Sequence, residues 1–363
     1  MALNLLPALH EAGLTGRSGS AFSTAVKLGA ALQNRAELIV NACDGEIGAA
    51  KDAYVIRHHL AEVRDGAALT GLKRVTYAAH AGSETEGRLR AAGVAVLPVP
   101  ARYVASEASA LVSLHHGGLA RPMTKRARLV QGGRTPEGKK TLPVLVLNAE
   151  TLLRIAQIEA FGPGWFRSFG TPEDPGPRLV ALNGAVQAPG VYETETGPSL
   201  SQILSLAGGP LPGARALNIG GLGGTWIAAS RIPALHYTTA SMATAGAAPG
   251  PGVMHLLGPS HCPVATVADM LNYAAGESAG QCGPCMFGLP AAAAGFAELA
   301  AGTGGPGAHA ALRQRLGLLT GRGACHFPDG VAAFTASALE VFSTHLQAHA
   351  AGYCPGQEER DQS

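Results

Sequence analysis

The chain has 363 residues, of which 47% are hydrophobic and 14% charged, so it can bury apolar cores and is not disordered by composition. Its 27 basic and 25 acidic residues leave a formal net charge of +2, which gives no electrostatic support for a nucleic-acid partner or an acidic membrane surface. No apolar run reaches the roughly 18 residues that span a bilayer, and the N-terminus is a poor signal peptide. We therefore expect a cytoplasmic protein of two or three domains.

Residues 1–170 alternate short apolar runs with helical and Gly-rich stretches, which predicts a layered α/β domain. Buried strands are predicted at Glu37–Asn41 and within Ala92–Val99 and Leu142–Leu147. The first of these strands runs directly into the polar turn Asn41–Gly48. Loops that follow strands are where α/β sheets bind ligands, although an ordinary solvated turn is equally compatible with this pattern.

A second unit is predicted over residues 177–243. It follows residues 170–177, which contain no large apolar side chain and are typical of a linker. Arg178–Gly184 is predicted as a strand, and Ser199 as the N-cap of a short helix that ends before Gly208. Short strands and turns of this kind indicate a small β-rich domain.

The third unit, residues 253–352, is predicted to be a helical bundle. Apolar residues recur at helical spacing over four stretches, which are Val264–Ala275, Leu289–Ala301, Ala308–Leu319 and Gly330–Ala350.

The sharpest local motif lies in this third unit. Cys282 and Cys285 have C-x2-C spacing on a loop shaped by Gly and Pro, and Cys325 follows on a second loop bounded by glycines. A helical hairpin between the two loops would bring the three sulfurs together. By spacing alone, the set fits an iron–sulfur cluster, a zinc site, a redox disulfide or inert cysteines.

A second motif, Gly13–Lys27, is a Gly-rich loop that opens a helix. Hydroxyl side chains at Ser20, Ser23 and Thr24, with Lys27 one turn into the helix, suit a phosphate. The motif matches neither the dinucleotide nor the P-loop pattern, so a plain capped helix explains it equally well.

Taken in order, these motifs resemble one family, the flavin-binding, NADH-oxidising subunit of respiratory complex I and its relatives in soluble hydrogenases and formate dehydrogenases. Gly13–Lys27 is similar to the family stretch G-L-R-G-R-G-G-A-G-F-P-T-G-x-K, and Asn41–Gly48 to N-A-D-E-G-E-P-G. Glu277–Cys285 is similar to E-S-C-G-x-C-x-P-C. Two shorter elements, Tyr103–Leu111 and Leu147–Thr151, also match.

The resemblance implies a fold and a function. The fold would be an α/β flavin-type domain, a β-grasp domain, which residues 183–193 resemble best, and a helical bundle with iron–sulfur loops. The function would be electron transfer from NAD(P)H through FMN to a cluster on Cys282, Cys285 and Cys325, and on to a redox partner. That partner would be ferredoxin-like or a membrane reductase subunit, which would put the chain at the periphery of a membrane complex.

The match also assigns residues to the cofactors. Glu46 and Glu107 are the candidate catalytic residues, Glu46 lying near the nicotinamide nucleotide and Glu107 at the flavin. The cofactor-binding positions are Gly16, Arg17, Gly19, Phe22, Lys27, Asn41, Lys125 and Asn148.

Several positions depart from the family pattern. Ala279 replaces the first cysteine, so three thiolates remain for a [4Fe–4S] or a [3Fe–4S] cluster, and Cys262, Cys354 and His326 are candidate substitutes. A structural zinc is the main rival at these thiols. At the flavin site the replaced positions are Ser18, Ala21, Cys43, Ala108 and Leu147, and Arg128 stands where an aromatic would help to stack the nucleotide. These changes keep open a rival function, a flavin-free scaffold or one-electron relay.

Overall fold

The computed structural model describes residues 2–19, 21–124, 127–135 and 137–355, and within these ranges the chain forms eleven strands and fourteen helices. The strands are β1 (Glu37–Asn41), β2 (Val75–His80), β3 (Val96–Val99), β4 (Gly133–Arg134), β5 (Lys140–Thr141), β6 (Val144–Asn148), β7 (Arg178–Gly184), β8 (Gly190–Thr194), β9 (Ala216–Ile219), β10 (Thr225–Ala228) and β11 (Val253–Leu257).

The α-helices are distributed along the whole of the described chain. They are α1 (Ala2–Ala12), α2 (Thr24–Gln33), α3 (Lys51–His58), α4 (Leu60–Leu69), α5 (Glu84–Ala91), α6 (Ala108–His115), α7 (Ala149–Arg167), α8 (Leu200–Ser205), α9 (Thr239–Ala243), α10 (Pro263–Glu277), α11 (Leu289–Ala300), α12 (Ala308–Gly317), α13 (Phe327–Val341) and α14 (Ser343–Ala350). None of these helices is both long and apolar enough to cross a bilayer.

The first sheet is parallel throughout and has the order β3-β2-β1-β6. The chain leaves β1 toward β2 on one side and later returns to pair β6 on the other, so the strand order reverses between β1 and β6. Asn41 and Asn148 are register partners at the carboxyl ends of these two strands. Ligand crevices of α/β sheets form at such a reversal.

Both faces of this sheet are covered, as a parallel sheet requires. Leu38 and Val40 of β1 face the apolar layer formed with α1, α4 and α7, whereas Ile39 faces the layer that contains Leu111 and Val112 of α6. The predicted layered α/β class is confirmed.

The second sheet has the order β10-β9-β11-β7-β8, with β11 parallel to β7 and the other pairs antiparallel. The predicted end of this unit at residue 243 is too early, because β11 lies between β9 and β7 in the sheet. The boundary was missed because the Gly/Pro-rich stretch that precedes β11 is a loop within the domain. Ser199 caps α8 and forms a reciprocal capping box with Gln202.

The predicted linker is packed rather than loose. Gly176, at φ 92°, lies so close to Phe166 that a Cβ there would come within 1.9 Å of the ring. Asp174 accepts two hydrogen bonds from Arg178, both of 2.8 Å. These contacts fix the path between the two sheets.

The C-terminal helices form one core with the second sheet. Trp226 of β10 packs against Phe334 and Phe342, with ring centroids 5.9 and 5.2 Å apart. Three of the four predicted helices match α10, α11 and α12 to within a few residues. The predicted helix Gly330–Ala350 is instead two helices, α13 and α14, that meet at Phe342.

Candidate functional site

The crevice between β1 and β6 is edged by two amides that the fold itself positions. Asn41 donates from Nδ2 to the Ser106 carbonyl at 3.0 Å and accepts from the Cys43 N–H at 3.2 Å. Asn148 is the N-cap of α7, and its Nδ2 donates to Asp52 at 3.2 Å. Both predicted positions therefore lie at the same edge of the sheet.

The Gly-rich loop closes on itself before α2 begins. The Gly16 N–H donates to the Phe22 carbonyl at 3.0 Å, and the Ser23 hydroxyl caps α2. Gly19 has φ 101° and Ala21 has φ 45°, so Ala21 adopts a left-handed conformation that a glycine takes at lower cost. Ser18 does not have a positive φ.

The mouth of this loop is cationic, which fits an anionic phosphate. The Lys27 ammonium lies 5.7 Å from the centroid of the Phe22 ring and the Arg128 guanidinium 5.6 Å from it. A Cβ added to Gly16 would lie 3.6 Å from Lys27 Nζ, so the backbone at Gly16 passes close to the ammonium. Phe22 itself is 40% exposed, which leaves part of its ring open for contact. The ammonium of Lys27 beside the backbone of Gly16 therefore suits a phosphate group.

Arg17 joins the loop to the segment between the sheets. It is 1% exposed, and its guanidinium donates to the Pro175 carbonyl at 2.9 Å and lies 3.6 Å from Asp174. Burial lowers its pKa to about 9. Its backbone N–H donates to Thr151 and its carbonyl accepts from Lys51.

A buried charge network under the loop was missed by the sequence reasoning. Lys51 Nζ lies 2.6 Å from Glu150, and the two side chains are 3% and 1% exposed. Burial lowers the pKa of Lys51, but Asp52 and Glu150 outweigh it, so the pKa is raised. Burial raises the pKa of Asp52 to about 7 even though Lys51 opposes the shift. The partners are far apart in sequence, so no local pattern reveals them.

Glu46 is held by both sheets' loops at once. Its carboxylate accepts from the Leu222 N–H at 2.8 Å, from the Ile47 N–H at 3.0 Å and from the Tyr103 hydroxyl. A Cβ on Gly221 would come within 2.2 Å of the carboxylate, so this close approach needs glycine. Burial raises the pKa of Glu46, although these hydrogen bonds oppose the shift.

Glu107, the other candidate catalytic carboxylate, caps α6. It accepts from the Ser109 N–H at 2.7 Å and from the Ala110 N–H at 3.3 Å. A carboxylate at a helix N-terminus is also stabilised by the helix dipole. Lys125, the remaining nucleotide-site candidate, lies outside the described residues, as does Ser20 of the Gly-rich loop.

The three predicted cysteines lie on two loops of the helical region, Cys282 and Cys285 before α11 and Cys325 before α13. Cys285 lies in a π-helical turn, Pro284–Gly288, that leads into α11, and it is buried, whereas Cys282 and Cys325 are partly exposed. Burial, and after it the thiols of Cys282 and Cys325, raise the pKa of Cys285 to about 12. Three thiols on two neighbouring loops suit an iron–sulfur cluster that lacks one cysteine ligand, and Ala279 stands where the family has that cysteine.

The suggested replacements for the missing fourth thiolate lie elsewhere. Cys262 and Cys354 are grouped with His349. The His326 side chain is 91% exposed and pairs with Asp329 at 3.0 Å. The position of Ala279 therefore supplies no side-chain ligand.

Tyr103 connects the loop of Glu46 with the cysteine loops. Its hydroxyl donates to Glu46, and its backbone N–H donates to Glu277 at 2.8 Å. Its ring lies 4.8 Å from that of Phe327, which follows the loop of Cys325. Burial, Glu46 and Cys325 raise its pKa well above the usual value, so the phenol stays neutral. The carboxyl edge of the first sheet and the cysteine group are therefore adjacent.

Two family models match the chain. The Nuo51 FMN-binding domain matches residues 9–157, and the NADH-ubiquinone oxidoreductase-F iron-sulfur binding region matches residues 265–349. Together they include the Gly-rich loop, the strand-end amides and all three cysteines of the group.

Individual proteins match over nearly the whole chain. The F 2 subunit of NADH-quinone oxidoreductase from Rhizobium meliloti is 27% identical over 94% of this chain and 87% of its own length. The F subunit of the same enzyme from Streptomyces coelicolor is 28% identical over 97% of this chain and 84% of its own. An NAD+-reducing [NiFe]-hydrogenase crystal structure superposes with a TM-score of 0.85 at 27% identity, over 96% of this chain and 63% of the hydrogenase chain.

Proposed function

This chain belongs to the family of FMN-binding, NADH-oxidising subunits of NADH-quinone oxidoreductase and related hydrogenases, and on that premise we propose that it passes electrons from NAD(P)H to a partner redox protein. FMN would bind at the carboxyl edge of the first sheet, and an iron–sulfur cluster at Cys282, Cys285 and Cys325. Bound FMN accepts two electrons as hydride and releases them singly, and a cluster carries one electron at a time.

The chain's own residues would bind and orient these groups. Lys27 would neutralise the phosphate at the Gly-rich loop, beside the backbone of Gly16. The amides of Asn41 and Asn148 would border the flavin ring at the sheet edge. Glu46, fixed between two loops, would position the nicotinamide nucleotide, and the buried Lys51–Glu150 pair would hold the loop backbone through the Arg17 carbonyl.

The observation that carries the proposal is that the carboxyl edge of the first sheet lies next to the cysteine loops. Tyr103 contacts Glu46 with its hydroxyl, and its ring packs against that of Phe327, two residues after Cys325. A hydride acceptor at the sheet edge and a one-electron carrier at the cysteines would therefore be neighbours. The partner, ferredoxin-like or a membrane reductase subunit, would receive the electrons at the exposed side of the cysteine loops.

The test is the absorption spectrum and iron content of the full chain purified without oxygen. We expect flavin bands near ~370 and ~450 nm, roughly three to four iron atoms per chain, and NADH-dependent reduction of ferricyanide. Cys285→Ser should lose the iron and keep the flavin, while Cys354→Ser, in the same helical region, should keep both. Colourless protein whose three cysteines hold zinc would overturn the proposal.

A further inference from the structure

A second group of metal-binding side chains lies at the far end of the helical region. Cys262 is the N-cap of α10, His349 lies near the end of α14, and Cys354 follows that helix. Cys262 Sγ is 3.3 Å from His349 Nε2, and the two sulfurs and this nitrogen all lie within 4.8 Å of one another. The motifs that carry the family resemblance do not include these residues. From the sequence, the two cysteines were candidates only to replace the missing fourth thiolate of the cluster.

The imidazole is oriented as a metal ligand would be. The Nδ1 atom of His349 lies 2.5 Å from the Ala300 carbonyl. A carbonyl oxygen can only accept, so Nδ1 carries the proton and the Nε2 lone pair points toward Cys262. Histidines that bind metals are commonly fixed in this way, with the second ring nitrogen donating to a carbonyl or carboxylate.

We propose that Cys262, His349 and Cys354 form a zinc site. In tetrahedral coordination, Zn–S bonds of about 2.3 Å and Zn–N bonds of about 2.0–2.1 Å place sulfur and nitrogen about 3.5 Å apart and two sulfurs about 3.8 Å apart. The observed spacings need only small movements to reach these values. Two thiolates would neutralise the charge of Zn²⁺, and a Cys2His set is a known zinc donor set.

The site has room for a fourth ligand and joins three segments of chain. The three side chains line a pocket whose other walls include Ala265, Ala300, Ala301 and Tyr353. A water molecule in this pocket would complete the tetrahedron. Zinc would tie the residues that follow α14 to the start of α10, and so close the C-terminal end of the bundle independently of the iron–sulfur loops.

The experiment is a zinc competition titration of the full chain, stripped of zinc and kept reduced, against a chromogenic chelator. We compare the wild type with Cys354→Ser and His349→Gln, and use Cys325→Ser as a matched control that alters the other thiol group. Each of the first two variants should lose one zinc equivalent or bind it more than about 100-fold more weakly, beyond the effect typical of losing an outer-shell partner. Cys325→Ser should keep that equivalent, and its tetrahedral Co²⁺ form should show sulfur-to-metal charge transfer.

Cys354 follows the last helix, so serine there should leave the circular dichroism spectrum unchanged. Zinc affinity equal to wild type in both Cys354→Ser and His349→Gln would overturn the proposal. So would a Cys262–Cys354 disulfide in freshly purified zinc-free protein, detected as a 2 Da mass loss on oxidation of two thiols. Iron and flavin content should be unchanged in Cys354→Ser, so failure here is distinct from failure of the proposed electron transfer.

Discussion

The Gly-rich-loop region and the cysteine-loop region use their motif residues in different ways. In the first, Asn41, Asn148 and Glu107 each hydrogen-bond to neighbouring groups of the protein and shape the loops that carry them. In the second, the thiols of Cys282 and Cys325 help to raise the pKa of Cys285. A polar motif residue can therefore shape a binding site by stabilising its loops. Thiols stabilise loops less well, so a group of thiols points more directly to a bound metal.

The largest expected effect comes from breaking the buried ion pair under the loop. Lys51→Met leaves Glu150 charged and without its ammonium partner, so we expect a loss of about 3–5 kcal/mol in unfolding free energy, measured by urea denaturation. Arg57→Met is the matched control, because Arg57 and Glu84 also lie 2.6 Å apart but are 49% and 58% exposed. Equal losses of unfolding free energy in the two variants would mean that the buried ion pair contributes no more to stability than the exposed one.

The next change restores the missing fourth thiolate. Ala279→Cys adds a thiol to the loop of Cys282 and Cys285, at the position where the family has its first cysteine. We expect the iron content to rise to four per chain and the spectroscopic signature to become that of a [4Fe–4S] cluster with full cysteine ligation. Electron paramagnetic resonance of the reduced and oxidised protein measures this. Unchanged iron content and spectra would show that the fourth corner is already filled.

A smaller effect concerns the pH dependence of stability at Glu46. Burial raises its pKa in the folded state, so the folded protein binds this proton more strongly than the unfolded chain does. The stabilisation that protonated Glu46 contributes to the free energy of unfolding is therefore fully present below pH ~4.5 and is lost as the pH rises through the folded-state pKa. Between pH 4 and 7, the unfolding free energy of wild type should fall relative to that of Glu46→Gln. Parallel profiles for the two proteins would contradict this.

The smallest effect tests the backbone of the Gly-rich loop. Ala21→Gly should stabilise the chain by about 1 kcal/mol, because φ is 45° at this position. Ser18→Gly should instead cost up to about 1 kcal/mol, since Ser18 has no positive φ and glycine only adds entropy to the unfolded chain. Thermal unfolding of the two variants compares them directly. A stabilising Ser18→Gly would show that both former glycine positions are strained.

Sequence reasoning succeeded where the signal is local. The runs at β1 and β7 were predicted to the residue, because a short apolar run between turns specifies a buried strand. The break between α13 and α14 was missed, because the apolar spacing continues across Phe342 without Gly or Pro. The roles of the remaining cofactor residues stay predictions, since their contacts depend on groups that the chain alone does not contain.

The contacts of Arg17 and Lys51 were out of reach for a different reason. Arg17 meets Pro175, Lys51 meets Glu150, and Cys262 meets His349 across long stretches of chain. Such pairs form only once strands and helices have assembled, and a single sequence contains no record of them. These tertiary contacts hold the Gly-rich loop in place and form the proposed second metal site.

The guanidinium of Arg17 also limits how this molecule can be dissected. Composition suggests cutting between residues 170 and 177, yet that cut would separate the guanidinium from the Pro175 carbonyl and from Asp174, and leave it the Phe166 ring and the Thr15 hydroxyl. An isolated amino-terminal fragment would then lack Asp174, the carboxylate that pairs with this guanidinium. Fragments for expression should therefore extend past the first strand of the second sheet. We also expect proteases to cleave this Pro-rich stretch slowly in the intact chain.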